Sequence, residues 1–95
     1  MDEMVKEITI LFPSDKFPDG VKALQEAESL RKQLVNPSGS FTLNSDVRTG
    51  DDGVRVILWK EQDGSRIEIF PWVVNFIKRP ADFVKPYLER GARFI

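Results

Sequence analysis

The amino-acid sequence predicts a two-layer α+β sandwich, in which one amphipathic helix packs on a mainly antiparallel sheet. An alternating segment near the start of the chain is followed by a strongly periodic helical segment. Three strand-like segments come next, joined by turns rich in glycine and aspartate, and a proline-broken helical segment ends the chain. The predicted order is therefore β-α-β-β-β plus this segment. A length of 95 residues suits one hydrophobic core, so we predict a single domain over 1–95.

The first predicted strand covers residues 6–12, where apolar and other residues alternate. Alternation places Ile8, Ile10 and Phe12 on one face of the strand, and Leu11 on the other. The loop after it contains prolines and glycine, and Asp19 is placed to cap the start of a helix. This pattern is typical of a half-buried strand that leads into a capped helix.

Residues 20–35 form the predicted helix, because apolar residues recur every three or four positions there. Asn36-Pro37-Ser38-Gly39 ends it, since asparagine tolerates a helix stop and proline cannot continue the hydrogen-bond ladder. The predicted buried stripe of the helix consists of Val21, Leu24, Ala27, Leu30 and Leu34.

Residues 40–47, 54–61 and 65–70 are the remaining predicted strands. Asp63-Gly64 separates the last two and is a signature of a tight hairpin, because a type I′ turn needs positive φ at both central residues. This turn would pair Leu58 with Ile69, Ile57 with Phe70, Trp59 with Glu68, and Glu61 with Arg66 as an ion pair.

The turn before this hairpin is predicted to cover residues 48–53. Pairing Asp46 with Arg55 places Leu43 opposite Leu58, which extends the hairpin to an antiparallel meander. The final segment, 71–95, is apolar but interrupted by prolines at 71, 80 and 86, so we predict short helical turns separated by bends.

The amino-acid composition excludes several kinds of catalytic and metal-binding site. The chain has no histidine and no cysteine, which excludes histidine-based catalysis, thiolate metal sites and disulfides. It also lacks the glycine-rich motifs that bind phosphates. Asp46, Asp51 and Asp52 lie close in sequence and could bind Ca²⁺ or Mg²⁺, but turn geometry explains aspartates between strands. We therefore expect no cofactor, no metal ion and no catalytic residues.

Charge and hydropathy patterning indicate the compartment and the class of partner. The formal net charge is −1, which argues against a protein that coats DNA. No segment has the roughly 20 apolar residues of a membrane span, and residues 1–4 do not resemble a signal peptide. We expect a cytoplasmic protein without a membrane contact.

The second face of the predicted sheet carries unusually large apolar residues: Leu11, Ile57, Trp59 and Phe70. An antiparallel sheet with one covered face normally has polar residues on the other. Two explanations are open at this point. Either the C-terminal segment folds back over this face, or a protein partner or a second copy of the chain covers it.

We accordingly predict a non-catalytic protein-binding module, such as an adaptor, inhibitor or regulatory subunit, or a self-associating homodimer. The alternative is a nucleic-acid-binding module that uses the basic stretch of Lys78, Arg79, Lys85, Arg90 and Arg93. A third hypothesis is an enzyme that relies on carboxylates, lysine or Tyr87. The predicted partner-binding residues are Arg55, Ile57, Trp59, Phe70, Trp72, Tyr87, Arg90 and Arg93.

Overall fold

A computed structural model describes residues 6–35, 43–69, 71–79 and 82–95, with only the backbone of residues 62 and 72. It confirms the predicted fold class: a five-stranded antiparallel sheet combined with three helices. In chain order the elements are β1 (Glu7–Pro13), α1 (Gly20–Val35), β2 (Asn44–Gly50), β3 (Gly53–Gln62), β4 (Ser65–Ile67), α2 (Pro71–Lys78), α3 (Lys85–Glu89) and β5 (Arg93–Phe94).

Strand β3 is the centre of the sheet, whose order is β2-β3-β1-β5 with β4 pairing to the end of β3. From Gly53 to Trp59, β3 pairs antiparallel with β1 and also with β2. Its last three residues pair with β4. Because each strand has only two edges, β3 has no free edge between Gly53 and Trp59.

The hairpin between β3 and β4 has the predicted turn and register. Asp63 and Gly64 have φ values of 52° and 80°, as a type I′ turn requires. Glu61 lies opposite Arg66, as predicted. The ladder contains only three pairs, however, and β4 ends at Ile67 rather than at residue 70.

The predicted pairing of Leu58 with Ile69 is not part of that ladder, and neither is the pairing of Trp59 with Glu68. The reason is steric, since β1 and β2 already occupy both edges of β3 at these positions. Leu58 and Ile69 nevertheless share the core, with 0% and 1% of their surface exposed. Phe70, the predicted neighbour of Ile57, lies outside the described residues.

The predicted register between β2 and β3 is wrong by two residues. Asp46 lies opposite Ile57, and Arg55 lies opposite Arg48. The turn is tighter than predicted, because Gly50 pairs with Gly53 and only two aspartates connect them. A shift of two residues leaves every side chain on its predicted face. The strand also lies further along the chain than the predicted 40–47, whose first three residues are not described.

Gly53 permits this tight turn beside β1. Its φ is +138°, a value that residues with a side chain rarely adopt. A Cβ atom at this position would lie 2.1 Å from the carbonyl oxygen of Phe12. Glycine is therefore required both by the backbone conformation and by the close approach of β1.

Helix α1 has the predicted bounds at Gly20 and Val35. Asp19 caps it, since its Oδ1 accepts a hydrogen bond of 3.2 Å from the backbone N–H of Lys22. The predicted end motif at 36–39 lies outside the described residues. The buried face consists of Ala23, Ala27, Leu30 and Leu34.

The first turn of the predicted stripe is wrong. Val21 is 70% exposed and Leu24 is 37% exposed, whereas Ala23 is buried. The spacing from Ala23 through Ala27 to Leu30 is four and then three residues, so the core-facing side of α1 passes through Ala23. The sequence analysis had assigned the larger apolar residues Val21 and Leu24 to the buried stripe instead of Ala23.

The C-terminal segment forms α2 and α3, as predicted, and ends in the unpredicted strand β5. Its buried residues Val73, Ile77, Val84 and Ala92 belong to the same core as those of α1. The described buried residues of this segment therefore favour the second of the two explanations for the other sheet face, cover by a partner or a second copy. Helix α1 packs mainly on β2 and β3, so the C-terminal helices are needed to cover β1 on the same side.

Replacing Leu58 with alanine should lower the free energy of unfolding by about 2–5 kcal/mol, because the side chain is fully buried in the middle of β3. Chemical denaturation measures this loss. The control is Val21→Ala on the exposed start of α1, which we expect to change stability by less than about 0.5 kcal/mol. Equal effects of the two substitutions would contradict the assigned core.

Candidate functional site

The sheet has one face covered by helices and one that we call the open face. Strand alternation and the observed registers determine which described side chains lie on the open face. They include Glu7, Thr9, Leu11 and Pro13 of β1, Asn44, Asp46 and Arg48 of β2, Arg55, Ile57, Trp59 and Glu61 of β3, Arg66 of β4, and Arg93 of β5. Each of the three helices contacts the core on the opposite side.

Trp59 is the largest described side chain on the open face. It lies on the central strand β3, near one end of that face. It is half-buried and lies between Glu7 of β1 and Asn44 of β2. The indole N–H donates a hydrogen bond of 3.0 Å to Glu61 Oε2. The Arg66 guanidinium lies 4.6 Å from the ring centroid, a geometry typical of a cation–π contact.

The same arginine anchors this end of the open face. Arg66 is bound to the Glu7 carboxylate at 2.6 Å, rather than to Glu61 as the hairpin register predicted. Glu61 instead accepts the tryptophan indole. One arginine and two carboxylates therefore hold the Trp59 ring in place while its outer surface stays accessible.

Three arginines cross the other end of the open face in one row. Arg48 lies beside Arg55, Leu11 follows on β1, and Arg93 lies beside Leu11 on β5. Leu11 is only 2% exposed, and its two neighbours in the row are arginines with long aliphatic stems. Between this row and Trp59 lies the half-buried Ile57, so the apolar centre has a basic border.

Two of the three arginines in the row are paired with carboxylates. Arg55 binds Asp52 at 2.5 Å, and Arg48 binds Asp46 at 2.8 Å. Arg93 is the exception, because no hydrogen bond or ion pair within the described residues involves it, and its charge acts on Asp52 from beyond ion-pair distance. Its charge is therefore available to a ligand at this edge of the face.

The two aspartates that pair with the arginine row, Asp46 and Asp52, have pKa values below the usual aspartate range. The hydrogen bond from Arg55 lowers the pKa of Asp52, and the positive charge of Arg93 contributes to the same shift. The hydrogen bond from Arg48 lowers the pKa of Asp46, with further help from the Val47 N–H. Both carboxylates are therefore ionised near neutral pH and neutralise part of the arginine charge.

Tyr87 and Arg90 lie on the helix side and stabilise the fold there. The Tyr87 ring packs edge-on against Phe12, with ring centroids 5.6 Å apart. Arg90 makes a bidentate ion pair with Glu26 of α1, which lowers the Glu26 pKa, and lies 5.0 Å from the Phe17 ring. These contacts join α3 to α1 and to the loop after β1.

The structure thus brings together four of the eight predicted partner-binding residues: Arg55, Ile57, Trp59 and Arg93. Tyr87 and Arg90 are separate from them, and Phe70 and the side chain of Trp72 lie outside the described part of the chain. Arg48 was missed because the sequence analysis ended the strand at residue 47 and assigned Arg48 to the turn, whereas β2 continues to Gly50. The glycines on either side of Asp51-Asp52 are the signal that would have indicated the tighter turn.

The aspartates considered as metal ligands are separated by their arginine partners. Asp46 binds Arg48 on β2, and Asp52 binds Arg55 across the turn. Within the described ranges, no three acidic side chains come together in a group suited to a metal ion. The acidic loop contributes ion pairs to the border of the open face.

Comparison with known proteins gives no relative for this chain. No protein-family model matches it, and neither a curated protein nor a solved structure is significantly similar to it. Its function is therefore inferred from the chemistry of its own surfaces.

Substituting Arg55 with glutamine should raise the pKa of Asp52 toward the usual aspartate range, because its main hydrogen-bond donor is lost. The shift is measured by NMR titration of the side-chain carboxyl carbon. Asp46 provides an internal control, since its pKa depends chiefly on Arg48 and should not move. An unchanged Asp52 titration would show that this ion pair is absent in solution.

Proposed function

We propose that this chain is a non-catalytic protein-binding module whose partner binds the open face. The observation that carries the proposal is the position of Trp59 and Ile57. Both lie on β3, between β1 and β2, both are half-buried, and the described helices pack on the opposite side of the sheet. Tryptophan and arginine are the residues that most often dominate binding energy at protein interfaces.

Charge on the open face favours a partner with acidic side chains around an apolar contact. Arg93 has no pairing carboxylate among the described residues and lies in the row that contains Arg48 and Arg55. A carboxylate from the partner would complete this row. The half-buried Trp59 and Ile57 would supply the apolar centre, with paired charges forming the polar border that is typical of interfaces.

The arrangement of basic residues gives less support to nucleic-acid binding. The stretch named in that alternative is divided, because Arg93 lies on the open face while Arg90 binds Glu26 on the helix side. Lys85 binds Asp82 at 3.2 Å, and Lys78 lies 5.5 Å from the Phe94 ring. Phosphate binding draws on several free cations on one surface.

The non-catalytic character is part of the proposal. A cavity of about 410 Å³ beside the start of α1 is lined mainly by apolar and glycine residues, and Asp19 is its single titratable group. That aspartate caps the helix. A cytoplasmic location also stays a prediction; no helix in the described ranges is long and apolar enough to span a bilayer.

Replacing Trp59 with alanine should weaken partner binding by at least about 2 kcal/mol, as truncation of a central interface tryptophan does. Stability should fall by less than the roughly 3–5 kcal/mol lost when a fully buried aromatic is truncated, because Trp59 is only half-buried. Affinity capture identifies the partner, calorimetry measures its affinity, and thermal melts measure stability.

Lys32→Ala is the control, since Lys32 is exposed on α1, which packs on the side of the sheet opposite the open face. It should leave both affinity and stability unchanged. A stable Trp59→Ala variant that binds the partner as tightly as the wild type would refute the role of the open face. An affinity that falls steeply with added salt would indicate nucleic acid instead, because phosphate contacts release counterions.

A further inference from the structure

The outer edge of β2 is a second surface, separate from the open face. Strand β2 is first in the sheet order, and no other described strand lies beyond it. It has seven residues, Asn44–Gly50, so its outer edge is longer than the two-residue β5 at the opposite edge. Strand edges with free backbone groups pair readily with other chains.

The direction of the backbone groups on β2 follows from a hydrogen bond at the far side of the sheet. The N–H of Ile95 donates to the carbonyl of Thr9 at 3.0 Å, so the Thr9 carbonyl points away from β3. Backbone groups alternate in direction along an antiparallel strand, so those of Ile10 point toward Val56. The backbone N–H and C=O of Val56 then point toward β1. Val47 lies opposite Val56 on β2, so its own N–H and C=O point outward, away from β3.

An independent contact confirms this direction. The N–H of Val47 donates a hydrogen bond of 2.9 Å to Oδ1 of Asp46, a side chain at the edge, instead of joining the ladder to β3. By the same alternation, Ser45 and Thr49 also direct their backbone groups outward. Within the described ranges, the outer edge therefore presents three residues whose backbone groups can pair with another strand, and the Asp46 carboxylate accepts the N–H of the central one, Val47.

We propose that this edge pairs with the same edge of a second copy of the chain. The two β2 strands would run antiparallel about a two-fold axis at Val47, which gives a continuous sheet across both copies. Val47 then lies opposite Val47 of the second copy, and Ser45 lies opposite Thr49. Outward-facing residues meet only outward-facing residues in this register, as an antiparallel ladder requires.

Charge selects this register over its neighbours. With the axis at Val47, Asp46 of each copy lies opposite Arg48 of the other, which gives two opposite-charge pairs across the interface. An axis at Asp46 would place two aspartates opposite each other, and an axis at Arg48 would place two arginines opposite each other. Asp46 and Arg48 pair with each other within one copy. In the dimer, each of them would pair with the oppositely charged residue of the second copy.

Helix α1 supports the same contact. The Arg31 guanidinium donates a hydrogen bond of 3.2 Å to Ser45 Oγ, so this side of α1 lies above β2. Leu24 is on the same side, since it precedes Arg31 by two helical turns, and it is 37% exposed. Pairing of the two β2 edges would bring the α1 helices of the two copies side by side, with Leu24 between them.

Sedimentation velocity over a range of concentrations tests this proposal, which is independent of the proposed protein-binding function. The wild type should form dimers with a Kd below about 100 µM. Asp46→Arg should weaken the dimer at least about tenfold, because like charges would replace both opposite-charge pairs. The double variant Asp46→Arg with Arg48→Asp should restore wild-type dimerisation, since it exchanges the charges and keeps them complementary. Glu68→Arg, the same charge change at an exposed site outside β2, should have no effect.

Val47→Pro provides a second variant that acts on the backbone. The N–H of Val47 does not bond to β3, so proline should be tolerated in the monomer and should abolish the dimer. Thermal melts identify any variant that fails to fold. For the wild type alone, amide exchange at Ser45 and Thr49 should slow as concentration rises. A wild type that stays monomeric at about 500 µM, or a dimer that Asp46→Arg leaves unchanged, would overturn the proposal.

Discussion

Strand β3 has a neighbour on each edge from Gly53 to Trp59, and this double pairing constrains the rest of the fold. It limits the β3–β4 hairpin to three residue pairs, because no edge is left for more. It also aligns β1 and β2 with each other through a common strand. Val56 and Leu58 then become the centre of the core, with no exposed surface.

The division of the molecule into a covered and an open face follows from this arrangement. Helix α1 covers β2 and β3, while the C-terminal helices add Val73, Ile77 and Val84 to the same core. Burial of so much apolar surface on one side supplies the main stabilisation of a small domain. On the other face, Arg48 and Arg55 are hydrated and paired with exposed carboxylates. The open face can therefore present Trp59 and Ile57 without a large cost in stability.

Sequence patterns predicted most of the helices and strands and the face on which each strand residue lies. They failed where several strands compete for the same edge of β3. The alternation around Ile8 and the turn at Asp63-Gly64 are local signals, and both were confirmed. The length of β4 depends on which strands already flank Leu58. Local sequence patterns contain no information about these neighbours. Strand β5 has only two residues, too few for a periodicity. For the candidate site, alternation predicted that Trp59, Ile57 and Arg55 share a face, but Arg48 joined them only after the turn at Asp51-Asp52 was known.

The central claim is that one face of the sheet is covered and the other is open, and Ile57 and Leu58 test it as neighbours on opposite faces. NMR of isoleucine and leucine methyl groups in the presence of a water-soluble paramagnetic agent measures the access of solvent to each. We predict strong relaxation enhancement for the Ile57 methyls and little for those of Leu58. Equal protection of both residues in the monomer would show that the open face is covered, and would contradict the account.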